Sequence, residues 1–263
     1  MTMRFGFVGT GRITTALVEG LCTAQDPPAA VLVSPRNAEK ATRLAAKFSQ
    51  VEVAASNQAV VDGCDCVFLA VLAEVASDVL SELHFRPDQT VVSLIAMKPI
   101  DEMRKLVKPA HKVARAVPLP TVARHLGPIL IYPDDPQISG IFSKIGKPIA
   151  LSNERHLSIL WTITALLAPF YTLMEETSRW ATKVGVDRQI AGAYTASMFH
   201  ALSALAADAP DGDFSDLLAE AATPGGLNEQ ALAQIRKQGG YKAVLDALDS
   251  VLIRLGESPP ERQ

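Results

Sequence analysis

The sequence predicts an α/β protein, a doubly wound parallel sheet followed by an all-helical second domain, on three observations. An apolar run at 4–8 leads straight into Gly9-Thr10-Gly11 and then into a helical pattern. Short apolar runs and amphipathic stretches then alternate to about residue 150, the spacing of strand–helix–strand units in a parallel sheet. Beyond that point no strand pattern follows, and helices run to the end. The chain is therefore divided into a dinucleotide-binding domain, 1–150, and a helical domain, 151–263.

The first strand is Arg4-Phe5-Gly6-Phe7-Val8. In 12–21, apolar or small residues at 13, 16, 17, 20 and 21 fall at helical spacing. Strand, glycine turn and helix together are the context of a dinucleotide-binding fingerprint. Gly9 permits the tight turn, and Gly11 lets the backbone approach a pyrophosphate. The helix beyond offers that anion its unpaired N–H groups and the positive end of its dipole. Thr14 stands where the usual pattern has a third glycine, while Ala16 and Gly20 keep the helix slim where it crosses the sheet.

After Asp26-Pro27-Pro28 the second strand, 30–33, ends in Ser34-Pro35-Arg36-Asn37, where the adenosine ribose of a dinucleotide lies. An NAD-selective site places Asp or Glu here. Ser34 and Arg36 suit a 2′-phosphate instead, because a guanidinium can meet its oxygens with charge-assisted bonds. NADPH is expected over NADH. Asn37 caps a helix over 38–48, and a brief third strand covers 51–53. Asn57 opens a short helix to 62. Strands at 66–71, 90–96 and 112–117 alternate with helices at 74–83 and 100–107. A seventh strand at 129–132, a helix at 138–145 and a last strand at 148–151 complete the domain.

Ligands of such sheets lie outside the carboxyl ends of the strands, here Gly9, Ser34, 70–73, 96–98 and Val117-Pro118. The expected cofactor residues are Gly9, Thr10, Gly11, Arg12, Ile13, Ser34, Arg36, Asn57, Ala70, Val71, Leu72 and Ala96.

Composition narrows the function. A net charge of −3 without a basic stretch argues against nucleic acid as a partner. The chain opens on its first strand, so no targeting peptide is expected ahead of it. The apolar run 157–173 contains Trp161, three Thr and Pro169; it reads as a helix buried by protein rather than a membrane span. Cys22, Cys64 and Cys66 have no partner cluster, and no histidine (84, 111, 125, 156 or 200) stands at metal-ligand spacing. No metal is expected. Strand alternation puts Cys64 and Cys66 on one face of an extended chain, as structural thiols of a reducing, cytoplasmic compartment.

In the helical part, Ser152-Asn153-Glu154 opens a helix that runs towards Lys183, with a kink or break at Pro169 and an end at Gly185. Asp187 starts a second helix, rich in small residues, to about 206, followed by a polar turn over 208–213. A third, 214–222, stops at Thr223-Pro224-Gly225-Gly226. Asn228 caps 229–237, Gly239-Gly240 turns, and 241–255 is the final helix before a loose tail over 257–263. These apolar helix faces are too many to bury alone and imply docking on the first domain and on a second copy, a homodimer or higher homo-oligomer. Tyr171, Glu175, Glu176 and Lys183 read as solvated or interface residues, and no catalytic acid is assigned.

Five stretches resemble the pyrroline-5-carboxylate reductase family, in order and in spacing, over nearly the whole chain. They are Gly9-x-Gly11-x-Ile13-x-x-Ala16-x-x-x-Gly20-Leu21, Ser34-Pro35-Arg36, Arg115-Ala116-Val117-Pro118, Thr223-Pro224-Gly225-Gly226 and Gly239-Gly240-Tyr241. The resemblance implies a Rossmann domain followed by a helical dimerisation and substrate domain. It also implies hydride transfer from NADPH to the C=N of a small cyclic imino acid, as in proline biosynthesis. Pro118, Thr223, Pro224, Gly225, Gly226 and Asn228 are the substrate residues that it implies. The chain departs from the family at Leu119, at Leu227-Asn228, at 164–169 and at Val71-Leu72-Ala73. The first three departures remove hydroxyls and an amide from the implied substrate side. A same-fold reductase of another cyclic imine or of a small oxo or hydroxy acid is therefore a second reading, and a non-catalytic dinucleotide-binding protein a third.

Overall fold

The protein is described by a computed structural model covering residues 3–209 and 212–259. It divides into two compact units. One runs to Trp161 and takes back Leu255–Glu257; the other is built from Thr162–Arg254.

The first unit is an eight-stranded sheet with helices on both faces. Its elements are β1 (Arg4–Val8), α1 (Arg12–Thr23), β2 (Ala30–Val33), α2 (Ala38–Lys47), β3 (Val51–Val53), α3 (Asn57–Gly63) and β4 (Cys66–Leu69). There follow α4 (Ala73–Ser81), β5 (Thr90–Ser93), α5 (Ile100–Leu106), β6 (Lys112–Pro118), β7 (Pro128–Tyr132), α6 (Pro136–Phe142) and β8 (Lys147–Ala150). The strand order is β3-β2-β1-β4-β5-β6-β7-β8. The reversal between β1 and β4 leaves a crevice at the carboxyl ends of these strands.

The strands are near-continuous apolar runs because both faces of the sheet are covered. On one face Phe7 stacks on Phe68 with centroids 4.7 Å apart, and Phe142 of α6 meets Phe68 edge-on. Leu17, Leu21 and Val33 pack around them. The other face holds Val8, Leu69, Val91, Ile95 and Met103. Each such side chain contributes about 1.5–3 kcal/mol by leaving water.

Three expectations for this unit are corrected. The sheet is parallel only through β6, since β7 pairs antiparallel with β6, Pro118 opposite Ile129, and β8 follows β7. The segment 119–127 is too short for a crossover helix, which takes about a dozen residues or more, and a 3-10 turn, Pro120–Arg124, fills it. Gly20 is slim for this turn rather than for the sheet, because a Cβ there would lie 2.4 Å from the Val122 carbonyl oxygen. Cys64 and Cys66 do not share a face. Cys64 caps the end of α3 and packs with Val60, Val61 and Leu32, whereas Cys66 starts β4 on the Phe68 side. Burial pushes the Cys22 and Cys64 thiols up to about 11 and Cys66 higher still.

The expected boundary near Ala150 falls at the end of β8. The first unit continues into α7 (Glu154–Ile163) because Leu157 is fully buried with Val117 and Leu130. Asn153 Oδ1 accepts the Arg155 N–H at the helix start.

The second unit holds α8 (Leu167–Lys183), α9 (Arg188–Ala207), α10 (Ser215–Ala221), α11 (Leu227–Lys237) and α12 (Gly240–Arg254). The expected break appears as a 3-10 turn, Thr164–Leu166, ahead of Pro169 in the first turn of α8. Proline is tolerated there because that N–H has no intrahelical acceptor. Asp187 caps α9 through the N–H groups of Gln189 and Ile190. Asn228 does not cap: Gly226 is the cap residue, and the Asn228 amide donates to the Ala221 carbonyl at 3.0 Å. The apolar run expected to be buried by protein is largely uncovered in the single chain, and α8 buries no residue. The tail beyond 259 and residues 210 and 211 of the expected polar turn lie outside the described residues.

Candidate functional site

β1 delivers the chain to Gly9 with φ 100°, a left-handed turn that glycine adopts without penalty. A Cβ at Gly9 would stand 2.5 Å from the Ala70 carbonyl oxygen at the end of β4, so packing requires glycine as strongly as φ does. Ser34, wholly buried at the end of β2, holds the turn from behind. Its Oγ accepts the Gly9 N–H at 2.9 Å, and its carbonyl accepts the Thr10 hydroxyl at 2.7 Å. Thr14 Oγ1 donates to the Gly9 carbonyl at 2.6 Å. The residue replacing the third glycine therefore cross-braces the turn with its hydroxyl.

Gly11 caps α1 with no side chain bonding to the first-turn N–H groups and no acidic residue nearby in that turn. A Cβ at Gly11 would meet no protein atom within 4 Å. Packing does not require glycine here; what it preserves is open space before the helix N-terminus, the electropositive end that favours an anion. That space belongs to a cleft of about 440 Å³ lined by Gly9, Thr10, Gly11, Arg36, Asn37, Ala38, Ala70, Val71 and Leu72. Arg36 is exposed and makes no ion pair among the described residues.

Seven of the expected cofactor residues thus line one cleft. Five do not. Ser34 is turned inward, and its role is to brace the turn rather than to meet a phosphate. Ile13 packs against the core, Arg12 is exposed at the start of α1, Asn57 begins α3 behind the Ser56 cap, and Ala96 follows β5. Asn37 and Ala38 line the cleft without having been expected there; the sequence marked Asn37 only as a cap, which it is, accepting the Lys40 N–H.

The loop after β5 leaves the same end of the sheet. Leu94 N–H donates to the Leu69 carbonyl, Lys98 Nζ reaches Ser77 Oγ at 3.0 Å and pairs with Glu102, and Met97 has φ 58°. The Ile100 N–H that closes the loop donates to Glu154 Oε1 at 2.7 Å. Arg115 Nη1, almost fully buried on β6, donates to the same oxygen at 2.7 Å, with the Trp161 ring 5.7 Å from its guanidinium carbon. No spacing signal links Arg115 and Glu154, which only the fold brings together.

Of the expected substrate residues, Pro118 is buried at the end of β6. Thr223, Pro224, Gly225 and Gly226 form the turn ahead of α11, where the Gly225 N–H donates to Glu229 and the Gly226 N–H to the Thr223 carbonyl. Leu227 is 84% exposed beside them. Glu175 and Glu176 are both engaged by Arg179, in a solvated face of α8.

Residues 4–97 match the family described as NADP oxidoreductase, coenzyme F420-dependent, and residues 154–257 match pyrroline-5-carboxylate reductase dimerisation. The chain is 26% identical over 270 residues to pyrroline-5-carboxylate reductase 3 of Xenopus laevis, covering 97% of this chain and 95% of the relative. The 1-pyrroline-5-carboxylate reductase of Streptococcus pyogenes has the same fold, with a TM-score of 0.83 at 18% identity over 96% of this chain and 98% of that one. So does the pyrroline carboxylate reductase of Plasmodium falciparum, solved with NADP bound, with a TM-score of 0.83 at 17% identity over 96% and 97% of the two chains.

Proposed function

Since the chain is a divergent member of the pyrroline-5-carboxylate reductase family and an NAD(P)-dependent oxidoreductase rather than a non-catalytic binder, we propose that it uses NADPH to reduce the C=N of a small cyclic imino acid, the proline-forming type of reaction. The observation that carries this reading is the cleft in which Gly9, Gly11 and Arg36 converge at the start of α1. The dinucleotide, when bound, supplies the hydride. The chain supplies position and charge. The N-terminus of α1 meets the pyrophosphate, and Gly11 keeps the approach open. Arg36 pairs with the 2′-phosphate. Thr10, Ala70, Val71 and Leu72 form the wall next to it, while Arg12, Ile13, Asn57 and Ala96 stand outside the cleft.

The region from 151 on is read as the dimerisation and substrate domain, with Pro118, Thr223 to Gly226 and Asn228 as its proposed substrate residues. The match to a dimerisation family supports homo-oligomerisation. By length and composition Glu154–Lys183 and Arg188–Ala207 could also cross a membrane. A second copy is the better cover, because the small residues of α9 let helices approach closely, and exposed Tyr171 and Tyr194, beside exposed Ile190, combine apolar area with polar tips. Three free cysteines fit a cytoplasmic setting.

A second reading, the same chemistry on another cyclic imine or a small oxo or hydroxy acid, is favoured by the turn ahead of α11. Two of its polar groups are spent locally, the Asn228 amide on Ala221 and the Gly225 N–H on Glu229, while Leu227 faces solvent.

The test is NADPH oxidation with pyrroline-5-carboxylate, beside NADH and beside six-membered and thiazoline imines, in the wild type and in Arg36→Gln. Turnover is expected with the five-membered imine and NADPH. Arg36→Gln should lose about tenfold to a hundredfold in NADPH affinity, one charge-assisted contact being worth about 1.5–3 kcal/mol, and leave NADH alone. NADPH binding without turnover of any imine would overturn imine reduction and move the substrate to a carbonyl.

A further inference from the structure

Met97 sits at φ 58°, in the left-handed region that side chains other than glycine and asparagine avoid. Such a conformation persists only where the surroundings over-determine it, and it gathers at ligand sites. The surroundings here do so from several sides. Leu94 is bonded to Leu69, the Ile95 N–H to Ser93 Oγ, and Lys98 to Ser77 and Glu102. The Ile100 N–H is held by a Glu154 carboxylate that buried Arg115 fixes in turn.

What this framework presents is apolar and open. β4 and β5 pair in parallel up to Leu69 opposite Ser93, so 70–72 and 94–99 leave the sheet side by side from its carboxyl end. Leu72, 72% exposed, lines the cleft, and Met97 on the neighbouring strand end is 43% exposed. A large unbranched side chain occupies a position where glycine would be free of strain, at the edge where ligands of such sheets lie.

We propose that Met97 is a specificity-determining residue, an apolar wall against the dihydronicotinamide end of the cofactor that restricts the size of imine able to reach it. The inference rests on the cofactor reading given above. Met97 donates no proton and makes no bond. It excludes water from one side of the ring and occupies volume that a bulkier substrate would need.

The experiment compares the full-length wild type with Met97→Gly and Met97→Leu in two readouts. The first is the fluorescence of bound NADPH, which needs no turnover. Wild type and Met97→Leu should give enhanced, blue-shifted emission, and Met97→Gly a weaker, red-shifted one. The second is the ratio of kcat/KM for pyrroline-5-carboxylate over the fused bicyclic imine 3,4-dihydroisoquinoline. It should fall about tenfold or more in Met97→Gly, since one methylene of pocket is already worth about tenfold and this variant vacates a whole side chain, and recover in Met97→Leu. The Tm of Met97→Gly should equal or exceed that of the wild type, because glycine carries no Cβ penalty at this φ; Met97→Asn, which also tolerates the region, is the second variant if the first proves unstable. Emission and ratio both unchanged in Met97→Gly, with imines still reduced, would sink the wall and leave the reductase standing. A changed emission with no imine reduced by any variant would put Met97 beside the ring but overturn its part in imine selection together with the imine reading.

Discussion

Ser34 accepts the Gly9 N–H through its Oγ at 2.9 Å from the buried side of the turn. A residue that the sequence offers as a phosphate ligand is therefore spent on shaping the loop that would hold the phosphate. Ser34→Ala would leave the Gly9 N–H without its acceptor, while the Thr10 hydroxyl keeps the Ser34 carbonyl, at a cost of about 1–3 kcal/mol. The midpoint of chemical unfolding should drop accordingly, and NADPH and NADH should weaken by the same factor. A loss confined to NADPH would return Ser34 to the 2′-phosphate.

The two glycines of the turn should separate stability from binding. Gly9→Ala sets a Cβ 2.5 Å from the Ala70 carbonyl oxygen at φ 100°, and a loss of about 3 kcal/mol or more is expected from the combined strain and clash. Gly11→Ala meets no protein atom within 4 Å, so its melting temperature should stay within a few degrees while NADPH affinity falls at least about tenfold. Thermal melts beside fluorescence titrations read both, and a Gly11→Ala protein that binds NADPH normally would show that the space before α1 is not the anion site.

Arg115 and Glu154 form the most buried ion pair among the described residues. Glu154→Ala leaves a buried guanidinium without its counter-charge and the Ile100 N–H without its acceptor, at about 2–4 kcal/mol, the lower end of the range for broken buried pairs because Glu154 is partly wet. Arg115→Met in that background should recover at least half of the loss, and a double-mutant cycle on unfolding free energies checks it. Additive losses would mean that the pair is not a unit.

Cys22 and Cys64 are raised to about 11 by burial, against an ordinary thiol near 8.5. The native state then retains protons that the unfolded chain releases, so stability is full below about pH 8.5 and declines as pH rises towards 11. Urea midpoints at pH 8 and pH 10 should show that decline, and Cys64→Ala should reduce it while Cys22 and Cys66 keep the remainder. At pH 8 only about one folded thiol in a thousand is thiolate, so a disulfide reagent should label these cysteines slowly in the native protein and at once in denaturant.

Much of the first unit was legible because its strands are apolar on both faces and its helices carry their own punctuation: Gly9 and Asn37 act where the sequence marks them, as Asp187 does in the second unit. The misses share a cause. The reversed β7, the separation of Cys64 from Cys66 and the inward turn of Ser34 depend on how segments far apart in the chain meet, which local periodicity does not encode. Asn228 had the composition of a cap, but Gly226 already filled that place, and the amide found the Ala221 carbonyl seven residues back. The Arg115–Glu154 pair spans 39 positions and follows no spacing rule. Met97 was counted only as rim backbone, because a left-handed methionine leaves no mark in composition.

The eight strands end in two edges, and neither invites company. β3 is three residues long and carries exposed Glu52; β8 is four residues long, opens on exposed Lys147 and contains Pro148, which has no N–H to give. Short, charged and proline-bearing margins are how sheets avoid templating a foreign strand. Main-chain zippering is thereby disfavoured as a route of self-association. The proposed pairing of copies through exposed helix faces does not use these edges, so loss of that pairing should yield sticky monomers with bare helix faces rather than fibrils grown strand upon strand.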